Sequence, residues 1–381
     1  MPINKYTDAS FYLKGSGTKT NKIYAQIPTD GDGDMTFTGS TIRTLVNSSN
    51  NWAEIAADLP RLDFQRGSCP SLLIEPSRSN LLRQSRALGT TPWTETNATV
   101  TANTTVSPDG TTNADTVAFT AVATARINQS YALLTSTTYT FTVWAKVASG
   151  TETFRLAYWD GATNQATADF TATTTWQRFK YTFTTAASFS GATIIRILNG
   201  TGATAKNIEF WQTDLIQSAY ALSPIFTDAT ALAVTTEDVT LGGLRTKGLI
   251  GSTVGSVYIE GKFNVEAGNI NLFSLSDGTT NNNIRITSDD IQAISATSSA
   301  LISNVFTADA DGNWEGKVCI TWDGVLISVH TDGATIGTAS FTAGASLSQF
   351  DLLGKNAPAW FDEIIFYPTA LSATDANSIT A

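Results

Sequence analysis

The chain of 381 residues holds one histidine, His330. That alone constrains covalent chemistry, because a serine or cysteine nucleophile needs a base such as imidazole within hydrogen-bond reach. In Val325-Leu-Ile-Ser-Val-His330 the two-residue period of a strand turns Val325, Ile327 and Val329 inward. His330 then faces outward, as an exposed strand histidine rather than a base. One histidine and two distant cysteines, Cys69 and Cys319, cannot close a tetrahedral zinc site. Hydrolysis of a glycosidic bond needs two carboxyl groups facing each other across a sugar. Asp115, Asp160, Asp169, Glu209 and Asp214 are the candidates, and most fall at turns or on outward strand positions. Gly200-Thr-Gly202 and Gly242-Gly243 stand between strands rather than ahead of helices, so they read as turns and not as phosphate loops. Asp30-Gly-Asp-Gly-Asp34 opens like a calcium loop, but its twelfth position is Thr41 where a bidentate Glu belongs, and a hairpin turn is the better reading.

What remains is non-covalent recognition. Sugars present apolar ring faces that stack on exposed aromatic rings and hydroxyls that pair with Asn, Asp and Gln. Tyr158-Trp159-Asp160-Gly-Ala-Thr-Asn164-Gln165 sets a tryptophan at a strand end beside polar loop residues. Trp159, Tyr158, Asp160, Asn164 and Gln165 are therefore candidate glycan-binding residues; the alternative for Trp159 is a core position at a sheet edge. Trp144, Trp176 and Trp211 lie inside apolar strands and read as core. Two polar loops, Asp277 with Asn281 to Asn283, and Asp309, Asp311 and Asn313, have the donors for Ca2+ or a sugar, and turn chemistry explains them as well.

The elements that must position these residues are strands. Many Thr and Ala, nineteen Phe and only 15% charged residues describe a globular, strand-rich chain. The net charge of −10 comes without clustered Lys and Arg, which argues against nucleic acid and against anionic membranes as partners. No apolar stretch approaches a membrane span or a leader, so neither membrane insertion nor a signal peptide is expected, and synthesis is expected in a cytoplasm. Cys69 and Cys319 fall in different expected domains and read as buried free thiols.

Short apolar pieces between Gly and Asp turns, too small to close a core alone, mark residues 1–84 as an attachment and oligomerisation region. Within it, Leu59 to Leu82 reads as two strands, Arg61 to Phe64 and Ser71 to Glu75, with Pro76 ending the second. Its charges, Arg61, Asp63, Arg66, Glu75 and Arg78, form either intra-chain ion pairs or a solvated rim. Residues 85–228 alternate as nine or so strands, among them Thr138 to Lys146, Glu152 to Trp159, Ala166 to Phe170 and Gln177 to Thr184. A second all-β run fills residues 229–381. The fold class is all-β: two antiparallel β-sandwich (jelly-roll) domains in tandem behind a small N-terminal β region.

Three stretches carry a resemblance. Pro60-Arg-Leu-Asp63, Gly67, Cys69-Pro70, Leu72-Leu73, Glu75-Pro76, Arg78 and Asn80-Leu81 resemble a segment that recurs in bacteriophage virion proteins, where it joins an attachment region to sugar-binding-type sandwiches. Trp93, Ser107-Pro-Asp-Gly110, Phe141 to Lys146, Trp176 and Phe210 to Gln217 resemble elements of jelly-roll carbohydrate-binding modules. Trp314 to Gly333 and Ala359 to Ser372, followed by a helix with Ser372 as N-cap, are similar to laminin G-like, or concanavalin A-like, sandwiches. The resemblance implies a structural phage virion protein, a tail or head fibre without enzymatic activity, that displays glycan-binding sandwiches for adhesion to bacterial surface glycan. Its implied partners are that glycan, other virion proteins and further copies of itself, a trimer being the fibre-like state. A purely structural decoration protein and an accessory domain of a polysaccharide depolymerase stay open.

Overall fold

The computed structural model describes residues 3–15, 17–265, 272–343, 347–353 and 357–381. Among them the chain is strand and turn apart from one helix, Ala373–Thr380. It divides into two compact units: Asn51–Ala53 with Arg78–Val234, and Met1–Asn50 with Glu54–Ser77 and Thr235–Ala381.

The unit built on Arg78–Val234 is a two-sheet sandwich. One sheet runs in the order Ala98–Val106, Thr112–Phe119, Lys206–Ile216, Thr138–Lys146, Gln177–Thr184. The other runs Thr94–Thr96, Arg126–Ser130, Ile194–Asn199, Glu152–Trp159, Asn164–Ala166, with Phe170–Ala172 also paired to Glu152–Trp159. Alternation sends Val117, Phe141 and Phe210 inward from the first sheet, and Ile127, Phe154, Leu156, Ile195 and Ile197 from the second. Phe154 meets Phe210 edge to face across the interior at 5.2 Å. Each such buried side chain contributes about 1.5–3 kcal/mol. The strands Thr138–Lys146, Glu152–Trp159 and Gln177–Thr184 have the bounds the pattern predicts. Ala166 to Phe170 is instead a break between two short strands, because Asp169 turns away to accept the backbone N–H of Thr201. Trp144 and Trp211, expected as core, lie on the outer side of the first sheet, Trp211 fully buried and Trp144 half-buried; they approach each other at 6.3 Å and are covered by Trp52 and Phe226. Trp176 is half-buried, with its indole N–H on the Val106 carbonyl.

The other unit is a second sandwich. Its larger sheet includes Met35–Thr38, Asp238–Gly242, Gln349–Leu353 and Phe273–Ser276 in that order, and the facing sheet includes Asn313–Trp322, Gly255–Asn264, Ala359–Tyr367, Ser71–Ile74 and Arg61–Asp63. Phe350 of one meets Phe366 of the other at 5.1 Å. The expected separate N-terminal region is not what forms. Phe11–Lys14 pairs with Ala359–Tyr367, from Phe11↔Phe366 to Lys14↔Glu363, and Met35–Thr38 pairs with Asp238–Gly242. The short N-terminal pieces thus complete a sandwich whose remaining strands lie more than 160 residues further on, and Phe11, Met35 and Phe37 are fully buried in its core. Asp30 to Asp34 is a turn, in which Asp30 accepts the Asp32 N–H and Asp34 pairs with Lys22 at 2.9 Å.

Of the two readings of the Leu59 to Leu82 charges, the ion-pair one holds. Arg61 is fully buried, 2.6 Å from Glu75 and paired with both oxygens of Glu237, which Arg43 also approaches at 3.2 Å. Arg66 pairs with Asp362 at 2.8 Å, and Asp63 accepts the backbone N–H groups of Val46 and Gln65. Both cysteines are free thiols, but they share this unit, and Cys69 is exposed where a buried thiol was expected, since it sits in the turn after Gly67.

Candidate functional site

His330 is buried, at 1% exposure, against the expectation of a solvent-facing ring. The period itself is right, since Ile327 and Val329 enter the core. The outward side is covered by the C-terminal helix, whose Asn377 lies 2.7 Å from His330 Nδ1. Burial lowers the pKa of His330 more than the Asn377 contact restores it. Its hydrogen-bonding partners among the described residues are the Asn377 amide and the Thr335 hydroxyl, and no carboxylate is among them.

The carboxylates singled out by sequence are each committed to a partner. Asp115 is buried under the N–H groups of Leu88 and Asn103, and burial raises its pKa. Asp214 is buried, also raised by burial, and accepts from Ile225 N–H and Gln212. Asp169 caps Thr201, and Glu209 pairs with Lys146 at 3.3 Å. On the second sandwich, Lys14, Arg66, Cys69, Glu260, Asp362 and Glu363 line an open groove of about 340 Å³. Burial pushes Glu363 up, but Lys5 at 2.8 Å and Lys14 at 3.2 Å more than offset it, so its carboxylate stays ionised and pairs with cations rather than donating a proton.

The loop of Asp309, Asp311 and Asn313 is a capped turn. Asp309 accepts the N–H groups of Asp311 and Asn313, which lowers its pKa. Asp277 likewise caps Thr279 and binds the Asn282 amide. Among the described residues no group of three or more His, Cys, Asp or Glu side chains converges as a metal site.

The sheet containing Glu152–Trp159 behaves differently. Its outer side is set by the register Thr94↔Asn128↔Arg196↔Ala157↔Ala166, with Ser130, Ile194, Trp159 and Asn164 aligned one row along. Five strands spaced by about 4.8 Å give this row a span of about 19 Å. At its centre the Arg196 guanidinium lies 4.2 Å from the centroid of the Trp159 ring and donates to Asn164 Oδ1 at 2.8 Å. Trp159 is half-buried and Asn164 exposed. Asn128 donates its amide to the Thr94 backbone carbonyl at 2.8 Å, which fixes the far end of the row. The small side chain of Ala157 is fully buried although it belongs to this side, so the longer chains around it close over the middle.

Trp159 and Asn164 therefore come together, through Arg196, as sequence reasoning places them. The other three candidates do not join them. Tyr158 alternates inward and stacks on Phe183 at 4.6 Å. Asp160 caps its own turn, accepting Ala162 and Thr163 N–H, and Gln165 donates to it at 2.9 Å; these bonds depress its pKa. Arg196 and Asn128 were missed. Both sit within strands read for their apolar members, and the usable signal was that Arg196 interrupts Ile194-Ile-Arg-Ile-Leu198 on the side opposite Ile195 and Ile197.

Residues 80–199 match the family described as "Carbohydrate binding domain". No curated protein matches the chain. Among solved structures, the CBM22-1 xylan-binding domain of Paenibacillus barcinonensis Xyn10C is similar at 16% identity, covering 39% of this chain and 99% of that one, with a TM-score of 0.31. Domain 4 of AbnA, an extracellular arabinanase of Geobacillus stearothermophilus in complex with arabinotriose, is similar at 13% identity, 42% and 82% coverage and a TM-score of 0.31. The CBM22-1 and catalytic modules of a Clostridium thermocellum xylanase bound to xylohexaose match at 16% identity and a TM-score of 0.28, over 36% of this chain and 27% of that one.

Proposed function

We propose that the chain is a glycan-binding protein and that the outer side of the sheet carrying Trp159, Arg196, Asn164 and Asn128 is its binding surface. The observation that carries this reading is the coincidence of the carbohydrate-binding family match with a sheet on which a partly exposed tryptophan, an arginine and two amides share a side. Recognition is by stacking and hydrogen bonding, with no bond broken. In the finer form of this reading the protein belongs to a phage virion, as a fibre that attaches to bacterial surface glycan beside other virion proteins. The segment Pro60 to Leu81 supports that form, and Trp314 to Gly333 supports a laminin G-like second sandwich. Copies held together, as in a trimer, would raise weak single-site affinity without new contacts. The matched region serves equally in a second form, an accessory binding module of a polysaccharide-degrading protein.

Binding to an immobilised glycan panel tests the core of the reading. Trp159→Ala is expected to weaken the best-bound glycan about tenfold, equivalent to about 1.4 kcal/mol. A panel with no binder removes the reading. Immunogold labelling of phage particles separates the virion form from the accessory one, which instead predicts release of product from a polysaccharide by the protein it serves.

A further inference from the structure

We infer that the ligand of the Trp159 surface is an acidic polysaccharide, whose hexuronate carboxylates pair with the arginines of that side. The inference rests on the glycan-binding reading and narrows it to one ligand class.

Its basis is a charge imbalance. The chain carries 33 acidic against 23 basic residues, and its buried or half-buried cations characteristically meet a carboxylate: Arg61 and Arg43 at Glu237, Arg66 at Asp362, Arg178 at Asp214, Lys146 at Glu209. Arg196 is more than nine-tenths buried and makes no ion pair among the described residues. It has only the Trp159 ring and the Asn164 carbonyl, and its Nε lacks a partner. A buried charge left without a counter-charge is unfavourable, so this is a site prepared for an anion.

Two more guanidiniums share the side. The register Arg126↔Leu198↔Arg155 runs one row along from Arg196, with Arg126 and Arg155 about 10 Å apart across three strands. Arg126 donates to the Thr124 carbonyl at 2.8 Å and meets no carboxylate among the described residues. Arg155 has Asp169 at a long 3.8 Å, and that carboxylate is already taken by Thr201. Burial, and then the nearby charge of Arg126, lower the pKa of Arg196 to about 10. Guanidinium forks match carboxylates in two-bond geometry, and a partly exposed Trp beside them suits the apolar face of a sugar ring.

The experiment is calorimetric titration of the full chain with polygalacturonate, alginate and hyaluronate, with carboxyl-reduced polygalacturonate, neutral xylan, a sulfated glycan and an oligonucleotide as comparisons. At least one uronate polymer is expected to bind tenfold or more tightly than the neutral glycans, with affinity falling several-fold between 50 and 300 mM salt, on the screening expected of ion pairs. Carboxyl reduction should abolish the preference for polygalacturonate if that is the polymer bound. The half-buried Arg126→Gln is expected to lose about tenfold toward the uronate and little toward neutral glycan, and Arg196→Gln, which also removes the support of Trp159 and Asn164, at least tenfold toward the uronate. Arg126→Gln keeps the test decisive should Arg196→Gln fail to fold. Neutral glycans bound as tightly as every uronate overturn the inference and leave the glycan reading intact. Preference for the sulfated glycan or the oligonucleotide overturns it as well, and absence of any glycan binding overturns both.

Discussion

Arg61 shows how much a single side chain organises in this protein. It is fully buried and bridges Glu75 to Glu237, two residues 162 positions apart in sequence, with Arg43 completing the group. Removing one member leaves charge stranded in the interior, so Glu237→Ala is expected to lower the unfolding free energy by about 3–5 kcal/mol in denaturant titration. His330 supports a second prediction at this scale. Its folded pKa is depressed, chiefly by burial, so it is neutral in the native chain while the unfolded chain takes up a proton below about 6.5. Its contribution is intact above that pH and is lost as pH falls through the lower folded value. His330→Gln should therefore flatten the loss of stability between pH 7.5 and 5 relative to the natural chain, measured by unfolding at each pH. Because the chain has no other histidine, the difference between the two curves isolates this ring.

At the scale of elements, the C-terminal helix acts as a cover. Ser372 accepts the Asp375 N–H as N-cap, and Ala376 and Ile379 pack with Cys319 and Tyr258 on the outer side of a sheet. Ser372→Ala is expected to cost about 1 kcal/mol. Deleting residues 373–381 should make Cys319 reactive toward a chromogenic thiol reagent, whereas the intact chain should show one fast equivalent, from exposed Cys69. Strands such as Thr138–Lys146 were legible because alternation and Gly or Asp turns are local signals. The pairing of Phe11–Lys14 with Ala359–Tyr367 was not, since no periodicity names a partner about 350 residues away. The same gap explains His330: the strand period is local, but the helix that covers it is not. On the proposed surface Trp159 was legible as a strand end, and Asn164, read as part of the loop, opens the next short strand. Arg196 was hidden in an apolar run, and Tyr158 was misread by one step of the pleat.

For the whole molecule, the decisive feature is that one sandwich is inserted in the sequence of the other. Arg78–Asn80 pairs antiparallel with Leu232–Val234, so the two ends of the segment Arg78–Val234 lie side by side. Expressed alone, it is expected to unfold cooperatively and to retain glycan binding. It should melt lower than in the full chain because Trp52, which packs on Trp144, is lost. A melt without a cooperative transition would refute this independence.

That pairing also decides where a pull on the polymer would be felt. Tension applied outside Phe11 and Tyr367 enters a ladder whose two strands emerge from the same end, so its hydrogen bonds would break singly and in order, like a zipper. The inserted segment has its own two ends tied together by the pairing Leu232↔Asn80.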